Sequence, residues 1–319
     1  MDLSVIIVSY KGRDTLEICL ESLESFKCER FSLEVIVVDN NSADGALERI
    51  EKRFSMFRFV HNKVNGGFAN GCNLGAGISS GDVLLFLNPD TVVMESEAEK
   101  LYNSVKDNPG YFIVSCRQVR EDGKETKVTG KFPGLFRKKK ASGSSLGKDA
   151  DAVKVNDSIF FPDWVSGSVM SIRRDVFSRL NGFDEDFWMY SEDVDICRRA
   201  WDMGGRVACF RDITVQHNHG GSTRADAAIT AISKSEVQIS RQLYIHKHLR
   251  GAEKLIMHSL RIADNIFIGF IEAVAGLVLF FVPGLHIRAT IFILLIRYYF
   301  GSVIKGSWIS PRSVNSNSE

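Results

Sequence analysis

A chain of 319 residues, 45% hydrophobic and 25% charged, has an ordinary globular composition and the length for one large domain plus an appendage. Forty basic residues against 39 acidic ones leave a net charge of +1, which argues against nucleic acid as a partner, because such proteins carry a marked basic excess. Six scattered cysteines with no C-x-x-C pair fit reduced thiols better than a disulfide framework or a zinc site.

Residues 3–9 (Leu-Ser-Val-Ile-Ile-Val-Ser) form a β-branched apolar run of strand length. No basic stretch precedes it and no small-residue cleavage site follows, so it reads as a first buried strand and not as a signal peptide. Residues 14–27 carry Leu16, Ile18, Leu20 and Leu23 among polar residues, an amphipathic helix. Residues 33–38 are the next strand, ending at Asp39. Then come a helix at about 44–54, a short strand at about 57–60, a helix at about 69–79 and a strand at 83–87. Strands apolar throughout, alternating with helices, predict an α/β fold with a mostly parallel sheet covered on both faces. Such sheets bind ligands at the carboxyl ends of their strands.

Polar clusters fall at those ends: Ser9-Tyr10 after the first strand, Asp39-Asn40-Asn41-Ser42 after the second, Asn88-Pro89-Asp90 after the fourth. Asp39 is placed to bond a ribose or base, or to cap a helix. Asn65-Gly66-Gly67-Phe68-Ala69 opens a helix, where backbone amides can approach a phosphate. The same glycines also suit a plain turn. Asp90 is placed to hold a hard divalent cation on a diphosphate, or to close an Asn-Pro turn.

From about 122 to 158 the pattern breaks, and the basic run Arg137-Lys138-Lys139-Lys140 reads as a solvated loop or a contact for lipid headgroups or a lipid-linked diphosphate. Order returns at 160–167, where Trp164 is either a sugar-stacking face or a core side chain. His217-Asn218-His219 follows a strand-like run and offers imidazole to a metal. A helix spans about 226–249.

The run Phe187-Trp188-Met189-Tyr190-Ser191-Glu192-Asp193-Val194-Asp195-Ile196-Cys197-Arg198-Arg199 crowds three carboxylates into four residues. Neighbouring carboxylates raise one another's cost of ionisation, a device suited to taking a proton from a hydroxyl. Beyond it the composition changes. Residues 266–282 are apolar except for Glu272, at the short limit for a span, and 289–300 are apolar but too short, broken by Arg297. Arg288, Lys305, Tyr298, Tyr299 and Trp308 flank them like interfacial anchors. These helices are expected in or dipping into the inner leaflet, the alternatives being a buried helical appendage or a true span, with 311–319 disordered.

Val8-Ser9-Tyr10, Val37-Val38-Asp39-Asn40-Asn41-Ser42, Asn65-x-Gly67-Phe68-Ala69, Leu87-Asn88-Pro89-Asp90, Gly182-Phe183-Asp184-Glu185, the acidic run and His217-x-x-x-Gly221-Ser222 together resemble glycosyltransferase family 2, GT-A fold, in its rhamnosyltransferase-like branch. The resemblance covers about residues 3–250. The family's D-x-D is here Asn88-Pro89-Asp90, which leaves Asp90 as the main metal carboxylate.

The resemblance implies a GT-A domain over 1–250, and the apolar composition beyond it implies membrane-associated helices over 251–310. It places Ser9, Tyr10, Asp39, Asn41, Gly67 and Asn73 around the nucleotide, and Asp90 with His217 on Mg²⁺ or Mn²⁺. Asp193 becomes the general base; Trp164, Gly167 and Glu192 face the acceptor; Arg198 and Arg199 steady the leaving diphosphate. The implied reaction is inverting transfer of a sugar, best matched by L-rhamnose from dTDP-L-rhamnose, to a polyprenyl-diphosphate-linked saccharide at the cytoplasmic face of the inner membrane. Other readings are a UDP-hexose or UDP-galactofuranose donor, an inactive nucleotide-sugar-binding module, or a nucleotidyltransferase. The last lacks its glycine-rich loop after the first strand.

Overall fold

The protein is described from a computed structural model, which covers residues 1–42, 45, 47–135, 153–154, 158–218, 227–278 and 283–317. The basic run 137–140 and His219 lie outside the described residues. Two compact units form. Among described residues the first takes those within 1–132, 153–154, 158–184 and 193–218, and the second 133–135, 185–192 and 227–317.

The first unit runs β1 (Leu3–Ser9), α1 (Arg13–Glu24), β2 (Leu33–Asp39), α2 (Leu47–Arg53), β3 (Arg58–His61), α3 (Gly67–Ile78), β4 (Val83–Leu87), β5 (Thr91–Val92), α4 (Glu95–Lys106) and β6 (Tyr111–Val119). It continues with β7 (Thr129–Gly130), β8 (Val153–Lys154), β9 (Ile159–Phe161), β10 (Trp164–Val165), β11 (Val169–Arg173), α5 (Arg174–Arg179), α6 (Glu192–Asp202, whose first residue groups with the second unit) and β12 (Arg206–His217). The main sheet has the order β3-β2-β1-β4-β11-β6-β12-β9-β8, with β5 on β12. The β3-β2-β1-β4 run and the β6–β12 pair are parallel, whereas β11 is antiparallel to both of its neighbours.

Strand β1 shows why the sheet is covered twice. Val5 and Ile7 pack among Leu16, Leu20 and Leu101, while Ile6 and Val8 pack among Ala69, Cys72 and Ala76. Successive side chains point to opposite faces, so a strand apolar at every position needs an apolar layer on each. Helix α3 lies close on the sheet: a Cβ on Gly71 would meet Val8 at 2.6 Å, and one on Gly75 would meet Ile6 at 2.6 Å. These two glycines therefore serve helix–sheet packing, and only Gly67, with φ 84°, needs the left-handed backbone at the helix entry.

Topology brings six segments to one edge. Ser9 pairs with Asp39, Leu87 precedes Asn88-Pro89-Asp90, and Val169 pairs with Leu87. Thus Gly167-Ser168 arrive where β4 leaves. His217 pairs with Thr91, and β6 brings Gln118 opposite Val215.

The second unit holds α7 (Ala227–His248), α8 (Gly251–Val278) and α9 (Pro283–Lys305). Its core is small, with Ile239, Leu295, Tyr298 and Tyr299 buried together. Helix α7, placed ahead of the expected boundary at 250, thus packs with the later helices. Polar bonds tie them: Tyr299 hydroxyl accepts from Gln242 at 3.2 Å and from Asn265 at 2.7 Å. Two expectations are corrected here. The second apolar stretch is not too short, because Pro283 opens the helix and Ile287–Lys305, 19 residues, is long and apolar enough to cross a membrane. Residues 311–317 are folded, not disordered: Arg312 pairs with Glu236 at 2.9 Å and Ser313 donates to Glu185 O at 2.7 Å.

Candidate active site

At the carboxyl edge of the sheet, Asp90 and His217 meet, with Oδ1 and Nε2 3.1 Å apart. The other ring nitrogen, Nδ1, lies 2.8 Å from Gln118 Oε1, and Ser168 Oγ donates to the same oxygen at 2.9 Å. An amide oxygen only accepts, so this network puts the ring proton on Nδ1 and turns the Nε2 lone pair toward Asp90. A lone pair and a carboxylate oxygen at that distance need a shared proton or a cation between them. Adjacent corners of an octahedron with ~2.1 Å bonds lie ~3 Å apart, so the pair has the spacing of two ligands on one small divalent ion. Asn88 Nδ2 sits 3.4 Å from His217 Nε2. Among the described residues no cluster of three or more His, Cys, Asp or Glu side chains forms.

The predicted base lies one residue's reach away. Gly167 N donates to Asp193 Oδ2 at 3.2 Å, and the next residue, Ser168, accepts from Asn88 N at 2.9 Å through its carbonyl. The Gly167-Ser168 step therefore touches both the carboxylate and the metal-side turn. A Cβ on Gly167 would meet Phe68 at 3.1 Å and Asp193 Cβ at 3.6 Å. Asp193 stands in the first turn of α6, and its Oδ1 also accepts from Val194 N at 2.8 Å. Burial raises its pKa above the ordinary aspartate range, and the Gly167 and Val194 amides oppose that rise. Part of its surface stays open to solvent. Just before α6, Tyr190 and Ser191 take left-handed backbone angles (φ 70° and 64°), and Glu192 is buried.

Around the ends of β1 and β2 the groups are held by short bonds. Asp39 is buried and accepts from Ser42 Oγ at 2.5 Å and Ser42 N at 3.2 Å, with His61 Nδ1 at 3.7 Å. Ser9 is buried, and its carbonyl accepts from Asn40 N at 2.8 Å. Tyr10 is partly exposed, with the Lys11 ammonium 5.3 Å from its ring. Asn41 is exposed with φ 61°. Asn40 donates to Asn65 Oδ1 at 3.1 Å and Gly67 O at 2.9 Å, and Asn62 donates to Asn40 Oδ1 at 3.0 Å and Asn70 Oδ1 at 2.7 Å. This asparagine network fixes the glycine-rich turn against the Asp39 loop.

Several sequence expectations are redirected. Asn73, expected beside the nucleotide, clamps backbone: its amide donates to Phe183 O at 2.8 Å and accepts from Phe183 N at 2.9 Å. Arg199, expected at the leaving diphosphate, is engaged by groups of its own unit. It pairs with Asp195 at 2.6 Å and donates to the carbonyls of Leu180 and Gly182, which uses its fork within the fold. Arg198 pairs with Asp202 at 3.1 Å and lies 5.3 Å from the rings of Phe132 and Trp201. Trp164 donates from Nε1 to Lys131 O at 3.0 Å, and its ring abuts Gly130, so it packs as much as it presents a face. Gln118 and Ser168 were missed: a glutamine inside an apolar strand carries no local signal, and only strand register puts it beside His217.

Comparison with known proteins adds the chemistry class. The profile of glycosyl transferase family 2 matches residues 4–177, and that of the N-terminal domain of galactosyltransferase matches 160–219. The chain is 28% identical over 232 residues to the rhamnosyltransferase WbbL of Escherichia coli K12, covering 68% of this chain and 85% of that one. It is 26% identical over 244 residues to the N-acetylglucosaminyl-diphospho-decaprenol L-rhamnosyltransferase of Mycobacterium tuberculosis, covering 71% and 79%. The fold matches a mannosyltransferase of Pyrobaculum calidifontis solved with GDP-mannose and Mn²⁺, with TM-score 0.53, 17% identity, and coverage of 98% and 86%. Two further solved structures of this fold are longer, and the chain spans 55% and 43% of their lengths.

Proposed function

The chain belongs to glycosyl transferase family 2, and from that premise we propose that it moves a sugar, with inversion, from a nucleoside-diphosphate donor to a lipid-linked saccharide. It is a glycosyltransferase by family; the donor and acceptor are our reading. L-Rhamnose from dTDP-L-rhamnose is the donor favoured by the two rhamnosyltransferase relatives, and a polyprenyl diphosphate the carrier favoured by the mycobacterial one. The observation that carries the mechanism is the single Gly167-Ser168 step that joins Asp193 to the Asp90–His217 turn.

In this reading Asp193 Oδ takes the acceptor hydroxyl's proton as the oxygen attacks the anomeric carbon. Burial holds the carboxyl's pKa above the usual range, nearer the operating pH of a general base. The Gly167 amide keeps the carboxylate aimed during transfer. Asp90 and His217 would hold Mg²⁺ or Mn²⁺, with Gln118 fixing the imidazole. Such an ion, when bound, spreads the charge that gathers on the departing diphosphate. Asp39, Ser9, Tyr10, Asn41 and Gly67 line the donor's nucleotide, held by Ser42 and the asparagine network. Trp164 and Glu192 bound the acceptor side.

Residence at the cytoplasmic face of the inner membrane is part of this reading, and the second unit supports the membrane contact. Phe267, Phe300 and Val303 are 72%, 70% and 77% exposed on α8 and α9, a costly display in water. Incubating the full chain with dTDP-L-rhamnose, UDP-hexoses, UDP-galactofuranose and a lipid-diphosphate acceptor, read by mass spectrometry, tests the proposal. Transfer from dTDP-L-rhamnose with release of dTDP is expected; release of pyrophosphate, or no product from any donor, sinks it.

A further inference from the structure

Within the second unit, one face of α9 and the folded C-terminal segment enclose a cavity of about 260 Å³. Arg297, Gly301 and Lys305 line it at four-residue spacing, so they stack along one face, and the two cations flank a glycine. A Cβ on Gly301 would meet nothing within 4 Å, so the space between the cations is open. Ile239 and Ile309 supply apolar wall.

The opposite wall is built, not incidental. Arg312 pairs with Glu236, Asn315 donates to Asp186 at 2.8 Å, and Tyr298 hydroxyl donates to Trp308 O at 2.8 Å. No aspartate or glutamate lines the cavity among the described residues. Arg312 is neutralised by Glu236, which leaves the charges of Arg297 and Lys305. Both stand on Ile287–Lys305, the helix apolar enough for a bilayer.

We propose that this cavity seats the diphosphate of a polyprenyl-linked lipid, with its first isoprene units on the apolar wall. The charges match: a diphosphate joining a sugar to a polyprenol carries two negative charges, whereas a glycerophospholipid diester carries one. The proposal rests on the lipid-linked acceptor of the functional reading, but its test needs no turnover.

The test is native mass spectrometry of the full chain in detergent micelles, titrated with farnesyl diphosphate, alongside flotation with vesicles containing phosphatidylglycerol. Gly301→Leu fills the cavity without changing charge or weakening the helix, and Arg297→Gln with Lys305→Gln removes the charge without filling it. Each is expected to weaken farnesyl diphosphate binding at least tenfold while flotation persists. Unchanged binding in either variant overturns the site, as does a loss of flotation equal to the loss of diphosphate binding, which would mark a general anionic surface. Wild-type binding of farnesyl diphosphate without sugar transfer to any lipid acceptor would uphold the site and refute the functional reading.

Discussion

The two units solve burial in opposite ways. In the first, residues of β1, β2 and β4 disappear from water on both faces, and their helices seal them. In the second, Ile239, Leu295, Tyr298 and Tyr299 form a small buried cluster among the described residues, while Phe267, Phe270, Phe300 and Val303 stay exposed. The first is finished in water. The second is held by polar bonds such as Gln242–Tyr299–Asn265, which survive where apolar exclusion supplies little. The candidate site, with its fixed distances, sits on the sealed unit; the exposed apolar surface sits on the other.

The sharpest break of that contrast is Asp193→Asn. Sugar transfer should fall by ~10²–10⁴ while donor binding, by isothermal titration, is retained; transfer at the wild-type rate removes Asp193 as base. On the second unit, Phe300→Glu with Val303→Glu should cut vesicle partitioning by ~10²–10⁴, since each apolar side chain contributes ~1.5–3 kcal/mol on burial. Thermal stability in detergent-free buffer should stay within ~0.5 kcal/mol, because both positions are already exposed. A variant that partitions normally makes the open face an ordinary surface.

Smaller effects sharpen the first unit. Gln118→Leu should weaken Mn²⁺ binding ~10–100-fold by electron paramagnetic resonance, and Gln118→Glu, which keeps an acceptor for Nδ1–H, should restore most of it. Equal losses in both would make Gln118 merely a packing residue. The smallest effect concerns pH. A carboxyl whose folded pKa is raised above its unfolded value costs stability once pH exceeds the unfolded value, and the cost vanishes below it. Asp193→Asn should therefore be as stable as wild type or more so at pH 7 by urea unfolding, with the gap closing as pH falls toward about 4. The acid limb of wild-type kcat/KM should lie above the ordinary aspartate range; a limb at that range would contradict the buried carboxylate.

Much of the first unit was legible because buried parallel strands announce themselves. Val83–Leu87 and Leu3–Ser9 are bounded as their apolar runs predict. The turns that follow them carry short polar residues, and Asp90 and His217, brought together by the family resemblance, lie side by side. Long side chains were misread. Arg199 looks available in sequence, yet Asp195 four residues earlier on the same helix face claims it, a spacing that was there to be seen. Asn73 and Gln118 act through partners 110 and 99 residues distant, which no local pattern encodes. The C-terminal residues read as disordered because serine and asparagine usually are, but Glu236 gives Arg312 a buried anchor.

Strand order has a consequence for birth on the ribosome. Strand β4 finds one neighbour in β1 at once, but its other, β11, begins at Val169, 82 residues after Leu87. At ~5–20 residues per second, roughly 4–16 s pass with that flank unzipped. Meanwhile β6, which in the mature sheet never touches β4, has already emerged. Until β11 arrives to lie between them, the free flank of β4 presents unpaired backbone groups that β6 could pair with out of order.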